Sequence, residues 1–479
     1  MDLADEPESS ESEIRPMRIR TLLSITLLAS AATAMPLAAQ AAASTAPLAA
    51  RGSAPRALDA ASRRAVVDSA AKMLASYYAF ADTGQMLAAH LRARLAAGAF
   101  DGAATEEQLG DVLTREMQAF NHDGHLYTAY QPQAGSPAAA ALAAWRQGNP
   151  FRAAPGPRQV SAEEQAALRR QNYGFTRVDR LDGNVGYLEI TSFTSGEEAT
   201  RAIDAAMQFL SHVDALIVDL RRNGGGNQMV HYVASYFLAD GTPQTWNYTR
   251  IAGDTMKNVS VPVGGAKRLD IPVYVLTSRR TFSAAEAFAF TLQSAGRAKV
   301  VGTRTGGGGY NNMMFPLTDQ MGISISIGHG FYPTTGRGWE GTGVQPDLET
   351  ATAEQALASA HAEALKTLAE READPRRKQE LAWTREVVEA QSHPVEVAPA
   401  SLAAYAGTYG TRAVTVDGGR LLYQRRADRP AEPLTALSAT EFAPTPTERV
   451  SFVRDASGAV TALVARSANG STTTYPKSN

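Results

Sequence analysis

No cysteine occurs in the 479 residues. Disulfide staples, thiolate catalysis, Cys-ligated metals and lipid attachment through a leader cysteine are therefore excluded. An excess of charge of one sign is also missing. Lys and Arg number 46 against 48 Asp and Glu, a net charge of −2, which leaves no basic footprint for nucleic acid. After the first forty or so residues there is no long apolar run, so no later segment reads as a bilayer span. What remains is an ordinary globular composition, 44% hydrophobic and 20% charged. The chain is too long for one core, and two or three domains are expected.

The N-terminus carries a targeting pattern. Arg15, Arg18 and Arg20 precede the apolar stretch TLLSITLLASAATAMPLA, and Ala39-Gln40-Ala41 follows it. A positive region, an apolar core and an A-x-A site in that order predict a signal peptide over 1–41, with the natural start expected at Met17, because the acidic residues before it have the wrong sign. The protein is accordingly expected to be exported, periplasmic or secreted, with no stable membrane span after cleavage. The apolar stretch is shorter than the roughly 20 residues an anchor needs.

Helical spacing runs through residues 57–130, with Val66, Ala70, Met73 and Tyr77 on one face, and predicts an N-terminal helical domain. An Ala-, Pro- and Gly-rich span over 131–172 reads as a linker or flap. From 173 to 392 apolar strands such as ALIVDL and IPVYVL alternate with helices, the pattern of an α/β layered core with parallel strands. Short strands with Gly-containing hairpin turns over 397–479 predict a small C-terminal β-domain.

Four features could carry chemistry. Ser283 stands where the strand IPVYVL gives way to a helix, a junction that places a hydroxyl at a helix N-terminus and favours developing negative charge. Ser283-Ala-Ala-Glu286 is equally a capping box, so a purely structural serine fits the same residues. Asn223-Gly224-Gly225-Gly226 after ALIVDL could converge backbone N–H groups on an anion, or simply turn. A P-loop is excluded, since Asn227-Gln228 replaces the Lys-Ser/Thr pair. Of eight histidines, His329 could line a cleft, and His122 and His125 flank Asp123, where a metal is conceivable but lacks further ligands at motif spacing. Glu340, beside Trp339 in a Gly-rich loop, could orient a histidine.

Together, the stretches NHDGHL, NYGFTRVDRLDGNVGYLEI, DLRRNGGG, YVLTSRRTFSAAEAFAF, RAKVVGTRTGGG and WEGTGVQPD resemble the S41 serine peptidases, the tail-specific and tricorn-type family. They come nearest to its branch related to interphotoreceptor retinoid-binding protein. The resemblance spans about residues 57–381 and implies a core of the ClpP/crotonase type. It implies a Ser283 nucleophile, a His125 base and a Glu340 acid. It also implies an oxyanion hole from Gly225 or Gly226 with the N–H of Ala284. The tail-specific branch uses a Ser-Lys pair, but the corresponding loop TRTGGGG has no lysine. Two departures stand out: Gly124 replaces the serine that often precedes the tricorn-type histidine, and the span between His125 and Asn184 is too short for a PDZ domain. The expectation is a serine peptidase acting on peptide or protein substrates through an acyl-enzyme, with no cofactor, no metal and no nucleic-acid partner. The alternative is a non-catalytic carrier of an apolar, retinoid-like ligand on the same fold.

Overall fold

The computed structural model describes residues 57–130 and 161–478. The expected signal peptide and residues 131–160 of the expected linker lie outside them. Helices α1 (Ala60–Tyr77), α2 (Ala81–Ala96) and α3 (Glu106–Asn121) come first. Asp59 caps α1 by accepting the Ser62 N–H at 2.7 Å, the role a short carboxylate plays at a helix start. Strand β1 (Tyr127–Tyr130) follows. Within the span read as linker, α4 (Ala162–Arg170) forms behind a capping box of Ser161 and Glu164.

The core elements are β2 (Phe175–Leu181), β3 (Val185–Ile190), α5 (Glu197–Phe209), β4 (Ala215–Asp219), α6 (Met229–Ser235), β5 (Trp246–Thr249), β6 (Asp254–Met256) and β7 (Val273–Thr277). They continue through α7 (Ala284–Ser294), β8 (Lys299–Gly302), β9 (Tyr310–Pro316), β10 (Met321–Phe331), β11 (Leu348–Glu349), α8 (Ala356–Arg371) and α9 (Pro375–Ser392). One sheet has the order β11-β8-β7-β4-β3-β2, parallel throughout except for the β3–β2 edge. Both of its faces are covered, which is why ALIVD has no polar alternation. Leu216 and Val218 pack with α5, α6 and α7, while Ala215 and Ile217 pack under α8 and α9.

The second sheet is antiparallel and built around β10, whose one edge takes β1 and then β5, and whose other edge takes β9. Met321, Ile323, Ile325 and Ile327, two residues apart and so on one face, are buried with Leu74, Leu91 and Leu113 of the N-terminal helices. That packing fixes the helices, and with them the α3–β1 turn, against the core.

After α10 (Pro399–Tyr405) the chain forms four- and five-stranded antiparallel sheets around Tyr405, Tyr409 and Phe442. The buried Arg449 of this region donates to the Trp383 carbonyl of α9 at 2.7 Å. The α/β core, the N-terminal helices and the C-terminal β-structure are those expected from the sequence.

Candidate active site

β4 and β7 are parallel neighbours, so the Asn223–Gly226 loop and the Ser283 junction leave the sheet at the same carboxyl edge. Two hydroxyls bind these exits together. Thr281 Oγ1 donates to the Leu220 carbonyl at 2.8 Å, and Ser278 Oγ donates to the Arg221 carbonyl at 2.6 Å. The Phe282 N–H donates to the Asn223 carbonyl at 3.1 Å. These serve to place the next residue.

Ser283 has φ 54 and ψ −120. An ordinary N-cap serine lies in the β region; a positive φ on a side-chain-bearing residue costs of order 1–3 kcal/mol and persists only where its surroundings enforce it. The same strand-to-helix strain exposes the nucleophile in other hydrolases. Enforcement here comes from Glu286, which is 0% exposed. Its carboxyl accepts from the N–H groups of Ser283 at 2.9 Å, Gly307 at 2.7 Å and Gly308 at 2.7 Å, and from Thr305 Oγ1 at 2.5 Å. Burial pushes this carboxyl up, and the four donors oppose that. The sequence motif showed Glu286 only as a helix cap; its larger part in tying the Gly306–Gly309 loop needed the fold.

Gly225 lies against the serine. A Cβ there would sit 2.9 Å from the Ser283 Cβ, and φ is +116, so glycine is required by both conformation and space. Its N–H is already spent on the Asn223 side chain, donating to Oδ1 at 2.8 Å. Gly226 is different. The amides flanking it pair with Phe193, so its own N–H is directed away from Phe193. Of the three expected oxyanion donors, Gly226 and Ala284 therefore keep N–H groups outside this internal bonding, while Gly225 shapes the wall.

His125 is 5% exposed, and its ring lies against that of Phe282, 4.8 Å between centroids. Its backbone N–H donates to Asp123 Oδ1 at 2.8 Å. Burial holds the imidazole below its ordinary value, and the Asp123 charge opposes this. Asp123 is itself 1% exposed and accepts from Tyr78 O–H at 3.0 Å, to which Asn121 Nδ2 donates at 2.7 Å. His122, by contrast, is exposed at the left-handed end of α3, and no group of three or more His, Asp or Glu is placed for a metal among the described residues. Gly124 has a spatial reason: a Cβ would come 3.0 Å from the Phe282 ring, which leaves no comfortable room for the serine of tricorn-type sites.

Glu340 is held by the N–H groups of Gly309 at 2.6 Å and Tyr310 at 2.9 Å. Burial first, and repulsion from Asp123 second, push its carboxyl up to about 8. It is thus largely protonated at neutral pH. Among the described residues no side-chain hydrogen bond joins His125 to Ser283 or to Glu340, and His125 Nδ1 is buried without a partner. Ser283, His125 and Gly225 converge around Phe282, whose ring also closes on Gly308. Glu340 reaches the same place through the glycine loop. Phe282 is a neighbour of the site that the sequence did not single out, while Asp123 and Glu286 stood out in it only as a residue between two histidines and as a helix cap. His329 lies on β10, in register with Tyr310.

Residues 184–350 match the model of peptidase family S41, and residues 59–155 match that of the N-terminal domain of peptidase S41 in eukaryotic IRBP. The chain is 29% identical over 155 residues to a carboxyl-terminal-processing protease of Picosynechococcus sp., covering 32% of this chain and 36% of that protein. It is 31% identical over 195 residues to the chloroplastic carboxyl-terminal-processing peptidase 1 of Arabidopsis thaliana, covering 40% and 37%. The match thus spans little more than a third of these relatives' length. Among solved structures, the photosystem II D1 C-terminal processing protease superposes with a TM-score of 0.38 at 17% identity, covering 61% of this chain and 94% of that one.

Proposed function

The chain belongs to peptidase family S41, and from that premise we propose that it is an exported serine peptidase acting through Ser283, His125 and Glu340. The observation that carries this reading is the backbone of Ser283, held at positive φ by Glu286 with Gly225 pressed against it. A structural cap needs none of these.

In the proposed reaction His125 takes the Ser283 Oγ proton as the oxygen attacks a peptide carbonyl carbon. The carbonyl oxygen, now charged, is received by the N–H groups of Gly226 and Ala284. His125 returns the proton to the leaving amine, and water then attacks the acyl-enzyme with the same base. Glu340 is assigned to the unpartnered His125 Nδ1, a contact that forms as the loops close on substrate, since catalytic hydrogen bonds are commonly long before substrate binds. Asp123 supplies the negative charge that favours the imidazolium. No cofactor takes part.

A fluorophosphonate probe should label the wild-type chain and not Ser283→Ala, with His125→Ala labelled at least about 100-fold more slowly. Absence of labelling on folded wild-type protein would overturn the assignment. Export rests on the Arg-rich, apolar and Ala39-Gln40-Ala41 pattern. N-terminal sequencing of the processed protein should find Ala42 first.

A further inference from the structure

The sheet face that α1–α3 cover does not end where the helices end. Past Ile327, where the register with β9 shifts between Ser326 and Gly328, β10 goes on to His329 and Phe331, both only half-buried. His329 is in register with Tyr248 on one side and Tyr310 on the other, and Phe331 is in register with Trp246. Directly opposed residues point to the same face, so the two rows form one aromatic surface. The rings touch accordingly: Tyr248–His329 at 5.5 Å, His329–Phe331 at 5.8 Å and Trp246–Phe331 at 6.3 Å between centroids. Phe80, from the α1–α2 turn, stacks on His329 at 5.5 Å and meets Tyr310 at 5.7 Å. It does so while 42% exposed.

This surface is continuous with the candidate site. Tyr310 is both the end of the platform and, through its N–H, a holder of Glu340. Gly308, two residues earlier, lies against Phe282. Two residues of chain span at most about 7 Å, so the platform begins within one or two peptide residues of the nucleophile's loop. Two ring nitrogens on it, Trp246 Nε1 and His329 Nδ1, are buried without hydrogen-bond partners among the described residues. Aromatic surfaces with a few polar atoms are what binding sites for apolar groups are made of.

We propose that Phe80, Trp246, Tyr248, Tyr310, His329 and Phe331 form the subsite that receives an aromatic or large apolar side chain of the peptide substrate, a few residues from the bond cut at Ser283. This rests on the peptidase reading for its place in a reaction, but not for its existence as a binding surface. The two are separated by measuring binding and cleavage apart.

For binding, fluorescence anisotropy is read on the full chain carrying Ser283→Ala, with labelled Ala- and Ser-based decapeptides that contain one Phe at successive positions or none. At its best position the Phe should tighten binding about 10- to 100-fold, the factor that corresponds to burying one aromatic side chain. Phe80→Ala, at an exposed position, and Trp246→Ala should each remove most of that gain while the Phe-free peptide is little affected. Equal binding of all peptides would overturn the subsite, as would a preference that survives both substitutions. For cleavage, mass spectrometry of the same peptides after incubation with the wild-type chain should show cuts at a fixed distance from the Phe. Preferential binding without any cut would leave the subsite standing and sink the peptidase reading instead.

Discussion

The ring of Phe282 lies 4.8 Å from that of His125, centroid to centroid, so the residue just before the proposed nucleophile Ser283 packs on the proposed base. Gly124 permits this by leaving the ring room. Gly124→Ser should therefore push Phe282 and His125 apart. Displacement of a catalytic group by about 1 Å costs on the order of 100-fold, and kcat/KM should fall by that order while the melting temperature changes little. Phe282→Leu, which keeps the apolar contact but not the flat ring, should fall less. A Gly124→Ser enzyme with wild-type turnover would show that the ring contact does not set the base.

The pH dependence follows from two opposed influences on His125. Burial lowers its affinity for a proton, and Asp123 raises it. Since His125 must be neutral to accept the serine proton, the acid limb of kcat/KM should lie below the ordinary imidazole value of 6.5. Asp123→Asn removes the opposing charge, so the limb should move to still lower pH, with a reduced plateau. The groups facing this pair are Tyr78, Tyr310 and Glu340, and Tyr78→Phe should leave the limb closer to wild type than Asp123→Asn does. An unmoved limb in a folded Asp123→Asn protein would refute the role given to Asp123.

Glu340 makes a separate prediction, about stability. Its folded value near 8 stands above its ordinary 4.5, so folding favours the protonated form. The contribution is fully present below the unfolded value and is lost as pH rises through the folded one. Between pH 7.5 and 8.5, a unit or more above the ordinary imidazole value of 6.5, His125 is essentially neutral in both states and adds little slope, and the wild type should lose thermal stability as Glu340 ionises. Glu340→Gln should flatten that decline. Parallel melting curves for the two proteins across this window would contradict the buried, neutral carboxyl.

Much of this was legible before folding because strands and glycines announce themselves. ALIVDL and IPVYVL carry their burial on both faces as unbroken apolar runs, and Gly224 to Gly226 follow the first of them directly. Ser283, His125 and Glu340 could be named from motif resemblance. What could not be read was their relation, because it is made by residues whose local patterns have ordinary explanations. Glu286 satisfies a capping box, Asp123 sits in a turn, and Phe282 is one more apolar residue at a helix start. Only the return of the 306–310 loop over the α7 N-terminus gives Glu286 and Phe282 a second partner, and only the approach of Tyr78 gives one to Asp123. The aromatic platform was hidden for a like reason: Trp246, Tyr310 and His329 are far apart in sequence and meet only through the register of β5, β10 and β9.

The four donors gathered on Glu286 have a last consequence. They weld the nucleophile's turn to the glycine loop, and through Gly309 and Tyr310 that loop carries the acid with it. These parts can move only together. His125 comes from a different stretch of the chain, the turn that leaves the N-terminal helices, and meets these parts at the ring of Phe282. The proposed nucleophile and acid are thus tied by hydrogen bonds, while the proposed base is set beside them by the packing of one ring on another.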